Sequence, residues 1–117
     1  MKLDRNETEN TDRWPGSGKY ALILLRKVDD CRQGTFAALP EEIAKAFLLL
    51  EREGLLDMGY AGSPSEFFVM RLKDKYAKAA LEAYADAANV DDPEWAQEVQ
   101  DLAQRSGPNH PHCKRPD

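Results

Sequence analysis

The sequence is poor in the residues that build metal centres and hydrolytic sites. Its 117 residues include two cysteines and two histidines. Cys31 and Cys113 lie far apart and form no CxxC pair, so neither a disulfide scaffold nor a thiol redox motif is expected, and both read as free thiols. There is no GxSxG and no HExxH, the spacings that set a nucleophile beside its base or two imidazoles over one metal. Long apolar runs are also missing. Tyr20–Leu25 and Ile43–Leu50 fall well short of the roughly 20 residues that a bilayer span needs, and the opening MKLDRNETENTD has no apolar stretch of the secretory kind. A cytoplasmic protein without membrane contact is therefore expected. An excess of positive charge is missing as well. The formal net charge is −5, which argues against binding polyanions through overall charge but leaves room for a local basic patch.

What is present suits a globular chain. Apolar residues make up 42% of it and charged residues 32%, too apolar a balance for disorder, and the length fits one domain with its own core. Residues 1–18 are polar and close on Pro15, Gly16, Ser17 and Gly18, so an irregular leader is expected, with Trp14 as an anchor. A single domain over residues 19–107 and a non-regular, proline-rich tail over 108–117 complete the expected organisation.

Within the domain, Lys19–Val28 (KYALILLRKV) reads as a strand, Asp29–Ala38 as a loop, and Leu55–Tyr60 and Glu66–Leu72 as two further strands around the turn AGSPS. Pro40 followed by Glu41 and Glu42 marks a helix start, and Gly54 its stop. A second helix is expected over Asp74–Ala88 on the stripe Tyr76, Ala80, Tyr84. A third has Asp92 as cap, Pro93 in its first position and the stripe Trp95, Val99, Leu102, ending at Gly107–Pro108. The predicted fold is α+β in the order β-α-β-β-α-α, a small three-stranded sheet covered by helices.

Few motifs bear on chemistry. Gly16–Lys19 (GSGK) is similar to part of a phosphate loop, but such a loop needs glycine where Arg13 stands and serine or threonine where Tyr20 stands. No cofactor is expected. His110, His112 and Cys113, with Cys31, supply four ligand types for a metal, but without the paired knuckles of a structural zinc site, so they are weak candidates. Asp91 and Asp92 read as helix-start residues rather than an acid–base pair, and no residue set carries a catalytic role.

The distribution of charge is more informative. Arg71, Lys73, Lys75 and Lys78 cluster around Tyr76 with Asp74 as the lone acid among them. The stretch that follows holds Glu82, Asp86, Asp91, Asp92, Glu94, Glu98 and Asp101, with no basic residue until Arg105. The acidic stretch suits a basic protein partner, and the basic cluster with Tyr76 suits nucleic acid or nucleotide phosphates.

Three stretches carry a resemblance: MKLDRN with the later GKYALILLRK, then EFFVMRLKDKYA, then SGPNHPHCKRPD. Together they resemble a group of small uncharacterised proteins encoded by bacteriophages and prophages. The resemblance implies an accessory protein at work inside a bacterial host cell, where such proteins bind host factors or counter host defences. The leading expectation is thus a non-catalytic binder of a host protein through the acidic stretch. Nucleic-acid binding through residues 71–78 and a small metal-dependent enzyme are the alternatives. Oligomeric state has no signature in the sequence.

Overall fold

The computed structural model describes residues 18–25 and 40–115. They divide between two compact units, one holding residues 21–25 and 40–68 and the other residues 18–20 and 69–115.

In the unit of residues 21–68, the described helix α1 spans Glu41–Arg52. Pro40 precedes it, Glu41 and Glu42 sit in its positive first turn and Arg52 in its last, and Lys45 pairs with Glu41 at 3.0 Å one turn on. Its end is a Schellman turn. Gly54 adopts φ +71°, its N–H donates to the Glu51 carbonyl at 3.1 Å, and the Leu55 N–H reaches back to the Leu50 carbonyl at 2.9 Å. No residue of α1 is buried, and Leu48 is 66% exposed.

Residues 55–68 then run through successive turns. The Asp57 carboxylate accepts from the Gly59 N–H at 2.8 Å and from the Ser65 hydroxyl at 3.1 Å, while Glu66 accepts from the Gly62 N–H at 2.9 Å. Gly59 has φ +58°, and a Cβ there would collide with the Phe67 ring.

In the other unit, α2 (Ala77–Ala88) and α3 (Pro93–Gln104) pack against each other, and a single 3-10 turn, Gly107–Asn109, follows. The connection of four residues between the helices makes them antiparallel neighbours. Asp92 caps α3 by accepting from the Trp95 N–H at 3.1 Å, and Pro93 occupies the first position, where no N–H is needed. The core is made of small side chains: Ala77 and Ala85 from α2, and Ala96, Val99 and Ala103 from α3. At one edge the Trp95 ring meets Tyr84 edge-on at 6.4 Å, and its Nε1–H donates to the Tyr84 hydroxyl at 3.0 Å. At the far end of α3, Ser106 is fully buried and its hydroxyl donates to the Ala103 carbonyl at 2.8 Å.

The structure corrects the expected α+β fold with its three-stranded sheet. The described residues hold helices and no strand. Residues 19–25, Leu55–Tyr60 and Glu66–Leu72 form none, and residues 26–28 of the first expected strand, like the expected loop Asp29–Ala38 up to its last residue, lie outside the described residues. The physical reason is that strand propensity is realised only against a cross-strand partner. Here Asp57 and Glu66 commit the chain to local turns on either side of Ser63, and Phe68 is left 87% exposed. The sole β-bridge among the described residues is isolated and parallel, Asp74 with Lys114. The leader to residue 17, with Trp14, also lies outside the described residues. Among the described residues no helix is long and apolar enough to cross a membrane.

Candidate functional site

The bridge between Asp74 and Lys114 organises the most heavily charged place in the helical unit. The chain enters it through a turn in which the Asp74 N–H donates to the Arg71 carbonyl at 3.0 Å. The Asp74 carboxylate then accepts the Tyr76 N–H at 2.8 Å, and its carbonyl accepts the Ala77 N–H at 3.0 Å, which starts α2. The lone acid of the basic cluster is thus committed to holding the turn.

From the other side, the Lys114 N–H donates to the Lys73 carbonyl at 2.9 Å and its carbonyl accepts from the Lys75 N–H at 2.8 Å. Residues separated by some forty positions in sequence therefore share one junction, and Lys114 and Arg115 join Arg71, Lys73 and Lys75 there.

The approach of the two segments depends on Gly107. Its N–H donates to the Leu72 carbonyl at 2.8 Å, its φ is +58°, and a Cβ would lie 2.9 Å from the Lys78 Cβ and 3.1 Å from the Lys78 amide nitrogen. Glycine lets the turn after α3 close onto the start of α2. Tyr76 follows the junction directly; its ring is 57% exposed and lies 5.9 Å from the Lys75 Nζ.

Of the residues of the basic cluster expected from sequence, Arg71, Lys73, Lys75 and the aromatic Tyr76 are gathered here. Lys78 is engaged elsewhere, 2.7 Å from Glu82 one turn along α2. That pair also removes Glu82 from the acidic surface.

The other acids spread over two helix faces. Asp86 lies on α2 away from Ala77 and Ala85, while Glu94, Glu98 and Asp101 lie on α3 away from Ala96, Val99 and Ala103. Asp101 accepts from the Gln97 side chain at 2.9 Å, and Asp92 is occupied as the cap. Asp86, Asp91 and Glu94 are exposed around the turn joining the helices, with Val90 between them 88% exposed.

In the tail, the His110 Nδ1 accepts the His112 N–H at 3.0 Å, the two rings lie 5.8 Å apart, and Cys113 is exposed. Among the described residues no three potential ligands converge on a metal position, and Cys31 lies outside them. A shallow depression of about 630 Å³ runs along α1 beside Lys45, Leu48, Leu49, Glu51 and Arg52, all from one helix, so it brings no polar groups together from separate elements.

Sequence reasoning missed Lys114 and Arg115 as partners of the basic cluster. The adjacent pair of cations in CKRPD is visible in the sequence, but its contact with residues 73–75 runs through backbone atoms and leaves no side-chain signature. No family model matches the chain, and no curated protein or solved structure matches it.

Proposed function

We propose that the chain is a non-catalytic accessory protein that grips an anionic partner at the junction of residues 71–76 with 114–115. One observation carries this reading: Lys114 is hydrogen-bonded between Lys73 and Lys75, gathering cations in a chain whose net charge is −5. Arg71, Lys73, Lys75 and Arg115 carry like charge at one junction, and like charges held close together repel. Helix α2 compounds the effect, with Lys78 and no acid in its first turn and Asp86 with no base in its last. Both ends run against the helix macrodipole, each at about 0.3–1 kcal/mol. A ligand that brings phosphates or clustered carboxylates to the junction relieves this repulsion.

The test is titration with inorganic polyphosphate, followed by calorimetry, at low and at physiological salt. Binding is expected to weaken with salt at a log–log slope of about 3, as a contact with a few phosphates requires. Lys73→Glu with Lys75→Glu is expected to weaken it at least about tenfold, with helicity unchanged by circular dichroism. No binding at low salt, or binding indifferent to these substitutions, overturns the reading.

A second reading is favoured by the acidic turn between α2 and α3, where Val90 is exposed among Asp86, Asp91 and Glu94. An apolar tip ringed by acids suits a basic surface on a host protein, in line with the resemblance to phage accessory proteins and with a role in host regulation or counter-defence. A stoichiometric partner recovered from bacterial lysate is expected to be lost on charge reversal at Asp86, Asp91 and Glu94. These positions are chosen because Asp92 must remain to cap α3. Recovery of the same partner by the reversed variant counts against the tip.

A further inference from the structure

We infer that the anion held at this junction is single-stranded nucleic acid, with a base stacked on Tyr76. The inference rests on the anion-binding reading and adds the class of ligand.

The Tyr76 ring is more than half exposed, and its hydroxyl has no hydrogen-bond partner among the described residues. Its backbone is nonetheless pinned. The N–H donates to the Asp74 carboxylate at 2.8 Å, and the carbonyl accepts from the Ala80 N–H at 3.2 Å as α2 begins. A flat apolar ring is thus presented from a fixed base rather than from a free loop.

Cations surround it along the backbone: Lys75 immediately before, Lys73 two residues further back, and Lys114 and Arg115 across the bridge. The Lys75 ammonium stands at the outer reach of a cation–π contact with the ring. Aromatic platforms flanked by basic residues are how single strands are held. The phosphates meet the cations while an unpaired base offers its face to the ring.

A duplex fits less well. Its base faces are closed to an aromatic side chain, and it carries a charge about every 1.7 Å. The acids of α2 and α3 would lie within its reach, because α2 is only about 18 Å long. A single strand can bend away from them. Stacking also supplies affinity that does not depend on charge, which matters in a chain that is acidic overall.

The experiment uses fluorescence anisotropy of the full chain with a labelled oligothymidylate of about 12 nucleotides, a hairpin duplex of the same charge, and inorganic polyphosphate as competitor. The oligothymidylate is expected to bind more tightly than the duplex. Tyr76→Ala is expected to weaken it by roughly tenfold or more while leaving competition by polyphosphate unchanged, and Tyr76→Phe is expected to restore it. Lys73→Glu with Lys75→Glu is expected to weaken both ligands. If Tyr76→Ala weakens both equally or neither, or if the duplex binds as well, the stacking inference fails while the anion reading stands. If neither ligand binds at low salt, both fail together.

Discussion

Replacing Gly107 with alanine is expected to destabilise the α2–α3 unit by about 3 kcal/mol and to loosen the basic junction with it. Two effects combine. At φ +58° an L-residue is strained by about 1–2 kcal/mol. The added Cβ would also meet the Lys78 Cβ at 2.9 Å, the Lys78 amide nitrogen at 3.1 Å and the Lys75 carbonyl oxygen at 3.3 Å. Two of these three are backbone atoms in the first turn of α2 or just before it, so they yield only if the helix moves. The hydrogen bond from Gly107 to Leu72 is then stretched, and the tail carrying Lys114 shifts with it.

Thermal denaturation should show a midpoint lower by roughly 12–24 °C, given about 4–8 °C per kcal/mol for a domain of this size. Gly54→Ala is the matched control. It has φ +71° but nothing within 4 Å of the added Cβ, so its effect should be confined to the backbone strain of about 1–2 kcal/mol. Equal effects at the two glycines would show that the close approach at Gly107 is not what closes the tail.

Ala103→Leu is expected to cost about 2–3 kcal/mol through overpacking. Ala103 is fully buried on the stripe that also carries Ala96 and Val99, and α2 answers with Ala77 and Ala85. Small residues on both sides allow the helix axes to approach to the near end of the usual 8–10 Å range, which leaves no room for an isobutyl group. Ala79→Leu, on an exposed part of α2, should stay within about 0.5 kcal/mol. Urea denaturation of the two variants separates a tight small-residue interface from a loose one, because a loose interface would tolerate both.

The helices were legible because their signals are local. Pro40 with Glu41 and Glu42, Gly54, and Asp92 with Pro93 each act within one turn of their own position, and each is found at a helix end. The strands were misread because EFFVMRL and LLDMGY are apolar enough for a sheet, yet a sheet needs a partner that no local pattern specifies. Asp57 and Glu66 settle that stretch by bonding to the Gly59 and Gly62 amides, a turn chemistry available only to the folded backbone. The basic cluster was legible as far as Lys78. Its salt bridge to Glu82 and its extension by Lys114 and Arg115 were not, the latter because the joining contacts are main-chain bonds across some forty residues. The acidic run is continuous in sequence, while in the fold its members are shared among α2, the connecting turn and α3, with Glu82 paired to Lys78 and Asp92 capping α3.

The charges along α2 have a consequence for how an encounter begins. Lysines gather where its axis starts and aspartates where it ends, so side chains and peptide dipoles add rather than cancel. On the proposed reading, a polyanion's field exerts a torque on this unit before contact and turns it junction first, with its acidic turn trailing.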